Sequence, residues 1–156
     1  MLVKEFLNNV CVRPTKTCWF RTKFSPTQLK YWFMENAKDW QIQRLILLHE
    51  NCPDELTEVT VSENPVWYIR LTAGLAKTKR AKYISVLFDD SNCTNRAAAY
   101  KTAIGYRLAD PALVSSRILL DNKCHNYFQD NIWNLQQVEK LKNQEITVQQ
   151  FLGETA

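Results

Sequence analysis

The stretch from Leu47 to Ala73 decides the fold and reads LLHENCPDELTEVTVSENPVWYIRLTA. Its segment Cys52–Glu55 places a proline and two acidic residues in a first helical turn, where a fixed φ and negative charge are favourable. A second helix start follows at Asn64-Pro65-Val66-Trp67. Apolar residues then recur along one stripe, at Val66, Ile69, Ala73 and Ala76. The spacing predicts two amphipathic helices joined by a short turn.

The same pattern occurs 27 residues earlier in the chain. At this offset the identical residues are Pro26 and Pro53, Leu29 and Leu56, Trp40 and Trp67, Ile42 and Ile69, and Leu48 and Leu75. The earlier repeat begins at Ser25–Gln28, which has the spacing of a capping box, and opens its second helix at Asp39-Trp40. This recurrence predicts a stack of helix pairs that bury their apolar faces against one another.

Two further repeats are predicted, with weaker identity to the first two. The third presents an inward face formed by Tyr83, Ile84, Leu87 and Phe88. A turn at Asp89–Asn92 then leads to an alanine-rich helix over Arg96–Leu108. The fourth begins at Asp110-Pro111, opens its second helix at Asn126–Gln129 and ends in a helical turn at Thr147–Phe151. The inward stripes of the second and third repeats are expected to bury Leu56, Ile69 and Leu87.

Composition agrees with a single all-α domain. A chain of 156 residues with 46% hydrophobic residues can bury a core without disulfides. Its three glycines are too few for the many turns of a β-sandwich or barrel. We therefore predict an all-α fold, a right-handed α-α superhelix of about four helix pairs over residues 25–156.

Residues 1–24 lie outside the repeats. Basic and polar residues at Arg13–Thr17 separate two β-prone runs, so the segment is predicted as a small hairpin or as an irregular basic arm. It could pack as an amino-terminal cap on the helical stack or remain a mobile arm. Both alternatives stay open at this point.

The cysteines and the apolar runs indicate an expected location. Five cysteines, an odd number without a CxxC pair, are typical of reduced thiols in a cytosolic protein. The first ten residues carry charge within a short apolar run and do not have the pattern of a signal peptide. No apolar run approaches the roughly 20 residues that span a bilayer. The sequence therefore predicts a soluble, cytoplasmic protein that does not bind membranes.

The decisive stretch resembles the leucine-rich repeat variant and HEAT-like α-repeat families. Their helix starts have the forms N-C-P-x-x-L and N-P-x-x-x-V-R-x-x-A, and the corresponding residues here are Asn51, Cys52, Pro53, Leu56, Asn64, Pro65, Ile69, Arg70 and Ala73. The resemblance covers roughly residues 25–120 and is concentrated in residues 51–76. It implies a curved stack of helices that binds a partner and has no catalytic activity. An iron–sulfur cluster is not implied, because only Cys11 and Cys18 precede the repeats.

Catalytic and metal-binding signatures are lacking in the sequence. It contains no phosphate-binding glycine loop, no H-E-x-x-H and no G-x-S-x-G. His49 and Cys52 have a spacing that zinc accepts, with Cys124-His125 as the only other candidate pair. We interpret these four residues as structural, and Asp89-Asp90 as a helix cap. We therefore predict no catalytic residue, no metal and no cofactor.

Two features could form a binding surface. Trp40 and Trp67 occupy equivalent positions in successive repeats and form either a structural ridge or a binding ridge. Basic residues dominate residues 64–107, which carry a net charge of +6, as against −5 over residues 31–63. They include a strip with which phosphates could pair, comprising Arg70, Lys77, Lys79, Arg80, Lys82 and Arg96.

These features predict a non-enzymatic adaptor or regulatory protein that binds a partner protein through its helical-repeat surface. The alternative is a DNA- or RNA-binding protein that uses the basic strip around residues 77–82 together with the amino-terminal arm. The two hypotheses differ in the surface that matters and in the dependence of affinity on salt.

Overall fold

A computed structural model of the chain describes the backbone of residues 16–154 and the side chains of residues 19–154. These residues form helices joined by short turns, with one isolated β-bridge between Gln129 and Asn134 and no strand within the described range. The predicted all-α class is confirmed. The chain divides into two compact units, an amino-terminal unit that ends at Tyr83 and a carboxy-terminal unit that begins at Ile84.

Among the described residues, six α-helices belong wholly or partly to the amino-terminal unit. They are α1 (Lys16–Arg21), α2 (Pro26–Glu35), α3 (Trp40–Leu48), α4 (Asp54–Glu63), α5 (Trp67–Leu75) and α6 (Arg80–Leu87), the last of which contains the boundary between the units. Helix α2 packs on α3, α4 packs on α5, and α3 also packs on α5. The first two predicted helix pairs are therefore present, whereas the superhelix remains a prediction.

The helix starts of this unit follow from capping chemistry. The Ser25 hydroxyl accepts a hydrogen bond from the Gln28 N–H at 3.1 Å, and Pro26 occupies the first helical position of α2. A carboxylate oxygen of Asp39 accepts from the Ile42 N–H at 3.2 Å, which starts α3 at Trp40. The predicted starts of α2 and α3 are confirmed.

Aromatic residues fill the core beside α1. Trp19 is fully buried, lies against Phe24 and Trp32, and donates from its indole N–H to the Leu45 carbonyl at 3.0 Å. Residues 16–21 are helical, so the predicted hairpin or irregular arm is wrong for this part of the segment. Burial of Trp19 outweighs the β propensity of its neighbours. The part of the prediction that concerns residues 1–15 lies outside the described residues.

Between Ile84 and Glu154, the carboxy-terminal unit contains the end of α6, four further α-helices and one 3₁₀ helix. They are α7 (Cys93–Gly105), α8 (Pro111–Leu120), the 3₁₀ helix Asn122–Tyr127, α9 (Leu135–Lys142) and α10 (Val148–Phe151). Helix α8 packs on both α7 and α9, and the 3₁₀ helix packs on α7 and α8. The predicted start at Asp110-Pro111 and the terminal turn with its Thr147–Gln150 capping box are confirmed.

Two predictions for this unit need correction. Helix α7 begins three residues before Arg96 because Asn92 caps it, and it ends before Arg107, whose φ of 55° is left-handed. The predicted helix start at Asn126–Gln129 is wrong. There Asp130 accepts hydrogen bonds from the N–H groups of Ile132 and Trp133, and helix α9 begins only after the cap at Asn134.

The core positions predicted from the repeats provide a test of the packing. Leu56, Ile69 and Leu87 are all buried, as the inward stripes predict. Replacement of any one by alanine should lower the free energy of unfolding by about 2–5 kcal/mol, because the lost methyl groups leave a cavity. Urea unfolding measures this loss. Val59→Ala on the exposed face of α4 is the matched control, and its cost should stay within about 0.5 kcal/mol. Equal costs at buried and exposed positions would contradict the assignment.

Candidate functional site

Trp40 and Trp67 are the first residues of α3 and α5 and remain partly exposed, at 46% and 41% of their full surface. The Asp39 cap fixes the start of α3. Helix α5 has no side-chain cap, and the turn before it is held by Asn64, whose side-chain oxygen accepts from the Val66 N–H at 2.9 Å. Equivalent helix starts in packed helices thus place both indoles on the surface of the amino-terminal unit.

Tyr68 links the two tryptophans. Its ring meets Trp40 edge to face, with centroids 5.7 Å apart and planes at 79°. It meets Trp67 in the same way at 5.5 Å and 86°. Such contacts are the preferred geometry of aromatic pairs and hold the rings in place. Tyr68 was not predicted as a site residue, although its position directly after Trp67 was the available signal.

The three rings border a groove of about 580 Å³ between α3 and α5. We call it the aromatic groove, and its lining residues are Trp40, Arg44, Trp67, Tyr68, Leu71 and Thr72. On each helix these residues follow an i, i+4 row, as for Trp40 and Arg44 on α3. A concave site with mostly apolar walls and few polar groups is the usual form of a binding site.

Arg44 is the single charged residue in the lining of the groove. It is exposed, and no ion pair to it occurs among the residues that the structure describes. Arg44 was not predicted as a site residue, because its place in the groove depends on the packing of α3 against α5. A guanidinium beside aromatic walls can pair with a carboxylate or a phosphate.

The predicted basic strip is partly neutralised within the amino-terminal unit. Lys79 and Lys82 both pair with Asp54, the first residue of α4, the Lys82 contact being 3.2 Å long. These hydrogen bonds, that from Lys79 foremost, lower the pKa of the Asp54 carboxyl, and Asp54 in turn raises the pKa of Lys82. The Tyr83 hydroxyl adds a bond to the Asp54 carbonyl at 3.2 Å. Two of the four basic residues of the strip at 77–82 are therefore paired with the first residue of α4.

The other residues predicted in this strip have different surroundings. Arg70 is half-buried and donates to the Asn64 carbonyl at 2.8 Å, which ties it to the start of its own helix. Arg80 is half-buried, whereas Lys77 is exposed. None of these three residues lines the aromatic groove.

Arg96 belongs to the carboxy-terminal unit and forms a two-pronged ion pair with Asp121. Its Nε and Nη2 atoms donate to the two carboxylate oxygens at 2.8 and 3.2 Å, and Nη1 donates to the Asp90 carbonyl at 2.9 Å. The Tyr100 hydroxyl and the Cys124 thiol also donate to Asp121, at 2.9 and 3.1 Å. Arg96 thus joins α7 to the end of α8 and is occupied by this network.

The network shifts the ionisation of its members. Arg96, opposed in part by burial, lowers the pKa of Asp121 to about 2. Burial, followed by the hydrogen bond to Asp121, raises the pKa of the Cys124 thiol to about 12. The same two causes raise the pKa of Tyr100. Cys124 is therefore held as a thiol at neutral pH and is a poor nucleophile.

The histidines considered as metal ligands are bound to the backbone. Nδ1 of His49 accepts from the Asn51 N–H at 3.0 Å, and its Nε2 lies 2.9 Å from the Thr22 carbonyl, to which it donates. Nε2 of His125 lies 3.0 Å from the Ile118 carbonyl. Over the part of the chain that the structure describes, no three residues of metal-binding type come together.

In comparisons with known proteins, no family model, no curated protein and no solved structure matches the chain. The resemblance to HEAT-like repeats therefore stays a prediction. Between residues 16 and 154, none of the helices combines the length and the apolar character needed to span a bilayer.

The ion pair of Arg96 predicts a specific dependence of stability on pH. Because the pKa of Asp121 is lowered from about 3.9 in the unfolded chain to about 2, its contribution is present above pH 4 and is lost as the pH falls towards 2. Asp121→Asn should therefore lower the free energy of unfolding by about 2 kcal/mol at pH 7. Urea unfolding of both proteins between pH 7 and pH 2 measures the difference, which should shrink below pH 4.

Asp89→Asn is the matched control for this measurement. Asp89 pairs with Arg117 at 3.2 Å in the same unit, but both side chains are largely exposed, so its loss should cost less than about 1 kcal/mol. A destabilisation by Asp121→Asn that is equally large at pH 7 and pH 2 would show that packing, rather than the ion pair, is responsible.

Proposed function

We propose that this chain is a non-enzymatic adaptor or regulatory protein that binds a partner protein at the aromatic groove. The observation that carries the proposal is the cluster of Trp40, Tyr68 and Trp67, whose rings are held edge to face yet stay partly exposed at a concavity. Tryptophan, tyrosine and arginine dominate the energetically important positions of protein interfaces. All three residue types line this groove.

The cluster also favours binding because its shape is preformed. The edge-to-face contacts of Tyr68 with Trp40 and Trp67 restrain the three rings, so little side-chain freedom remains to be lost when a partner binds. Ordering of rotamer-rich side chains is a main cost of association. A rigid aromatic surface therefore gives more net affinity per unit of area than the lysine side chains of the basic strip.

Nucleic-acid binding is the second hypothesis and has less support. In nucleic-acid binding, lysine and arginine side chains replace the counterions of the phosphates. In the strip, both Lys79 and Lys82 are already paired with Asp54. The carboxylate of Asp54 also places negative charge where a phosphate would have to lie. Exposed Lys77 is the observation that keeps the alternative open.

The adaptor hypothesis predicts that substitutions in the groove weaken partner binding strongly, whereas substitutions in the strip have little effect. A partner is first captured from an extract of the source organism and identified by mass spectrometry, and its affinity is then measured with purified proteins. The double substitution Trp40→Ala and Trp67→Ala should weaken binding at least about tenfold, as expected for aromatic anchors. Joint replacement of Lys77, Lys79, Arg80 and Lys82 by glutamine should change the affinity by less than about threefold.

The nucleic-acid hypothesis is tested with the same proteins by fluorescence anisotropy on mixed single- and double-stranded DNA and RNA. The adaptor hypothesis predicts no saturable binding between about 50 and 200 mM salt. Tight binding that the four glutamine substitutions abolish, with a salt slope reduced by about 0.7–0.9 for each lost contact, would contradict it. Circular dichroism of each variant verifies that helicity is retained.

A further inference from the structure

We infer that the aromatic groove takes a short linear segment of the partner in which a large apolar side chain lies close to a carboxylate. The inference rests on the proposed function and specifies the chemistry of the partner. Three observations carry it: the charge of the groove, the size of its exposed aromatic surface and the spacing of its residues.

The charge of the groove selects an acidic segment. Arg44 is the one charged residue in the lining, and among the described residues it has no carboxylate partner. Next to aromatic walls the local dielectric is lower than in water, so a pair formed here is stronger than one on open surface. The guanidinium offers two parallel donors, which match the two oxygens of a carboxylate.

The exposed aromatic surface suits a segment better than a folded domain. Trp40, Trp67 and Tyr68 are exposed at 46%, 41% and 38%, which leaves on the order of 250 Å² of aromatic side chain accessible. A stable interface between globular proteins buries about 800 Å² on each partner. One or two anchor residues of an extended or helical segment are enough to cover the smaller surface.

The spacing of the lining residues sets the spacing in the segment. Trp40 and Arg44 are one helical turn apart on α3, so about 6 Å separates their Cβ atoms. A carboxylate and an anchor fit this distance if they are about two residues apart in an extended segment, or about one turn apart in a helix. The segment is therefore expected to carry aspartate or glutamate one to four residues from phenylalanine, tryptophan or leucine.

The rings themselves disfavour a cationic occupant. Aromatic cages for quaternary ammonium groups need space between the ring faces. Here Tyr68 touches both tryptophans, at centroid distances of 5.7 and 5.5 Å, so no such space lies between them. Arg44 would also repel a cation.

Selection from a random peptide library displayed on phage, with the full chain as bait, tests the inference. Enriched peptides should share an acidic residue within four positions of a large apolar residue. Synthetic versions of these peptides serve as probes in fluorescence anisotropy. Arg44→Glu should weaken their binding at least about tenfold, whereas Arg21→Glu, an exposed arginine of α1 outside the groove, should leave it within about twofold.

A charge exchange gives the most specific result. Peptides in which lysine replaces the acidic residue should bind wild type poorly and regain affinity for the Arg44→Glu protein. Enriched peptides without an acidic preference, no enrichment at all, or tighter binding of a trimethyl-lysine peptide or an oligothymidylate would overturn the inference. If Trp40→Ala abolishes peptide binding but Arg44→Glu does not, only the acidic character is wrong. If neither substitution matters, the proposed function fails with it.

Discussion

The starting residues of α3 and α5 are the constraint on which the surface of the amino-terminal unit depends. Each residue of an α-helix is turned by about 100° from the one before it, so the buried face of a helix sets the direction of every other side chain. The buried faces of α3 and α5 leave Trp40 and Trp67 partly exposed. The Asp39 carboxylate caps α3 where Trp40 begins, and Asn64 holds the turn before α5. Packing of α3 on α5 then converts equal positions in two repeats into one aromatic surface.

Long-range polar contacts hold this arrangement at its other end. His49, which follows α3, bonds to the Thr22 carbonyl, and the Asn51 side chain donates to the Phe24 carbonyl at 3.0 Å. Together with the buried Trp19 indole they attach the segment after α1 to the end of α3. His49, one of the candidate zinc ligands, therefore satisfies a backbone group in an otherwise apolar core.

Local signals in the sequence predicted much of the fold. The caps at Ser25, Asp39 and Asp110 and the inward stripes at Leu56, Ile69 and Leu87 follow from neighbouring residues alone, and the structure confirms them. The sequence failed where two signals of similar strength competed. Between residues 122 and 134, no α-helix begins at Asn126 as predicted. The chain instead forms a turn at Asp130, and the next α-helix follows the cap at Asn134.

The candidate site was less predictable, because its chemistry depends on residues that are distant in sequence. Asp54 pairs with Lys79 and Lys82, and Asp121 pairs with Arg96. The partners in these ion pairs are about 25 positions or more apart in sequence, so no local pattern predicts them. Trp40 and Trp67 were identified from their recurrence. Tyr68 and Arg44 could be assigned to the site only from the packing of α3 against α5.

Fluorine NMR of protein labelled with 5-fluorotryptophan tests the central claim most directly, because it reports on each indole separately. Resonances are assigned by single Trp→Phe substitutions, and a soluble gadolinium chelate is then added. The structure predicts strong broadening for the exposed Trp40 and Trp67 and little for the buried Trp19 and Trp32. Protection of Trp40 and Trp67 equal to that of Trp19 would contradict an accessible aromatic groove.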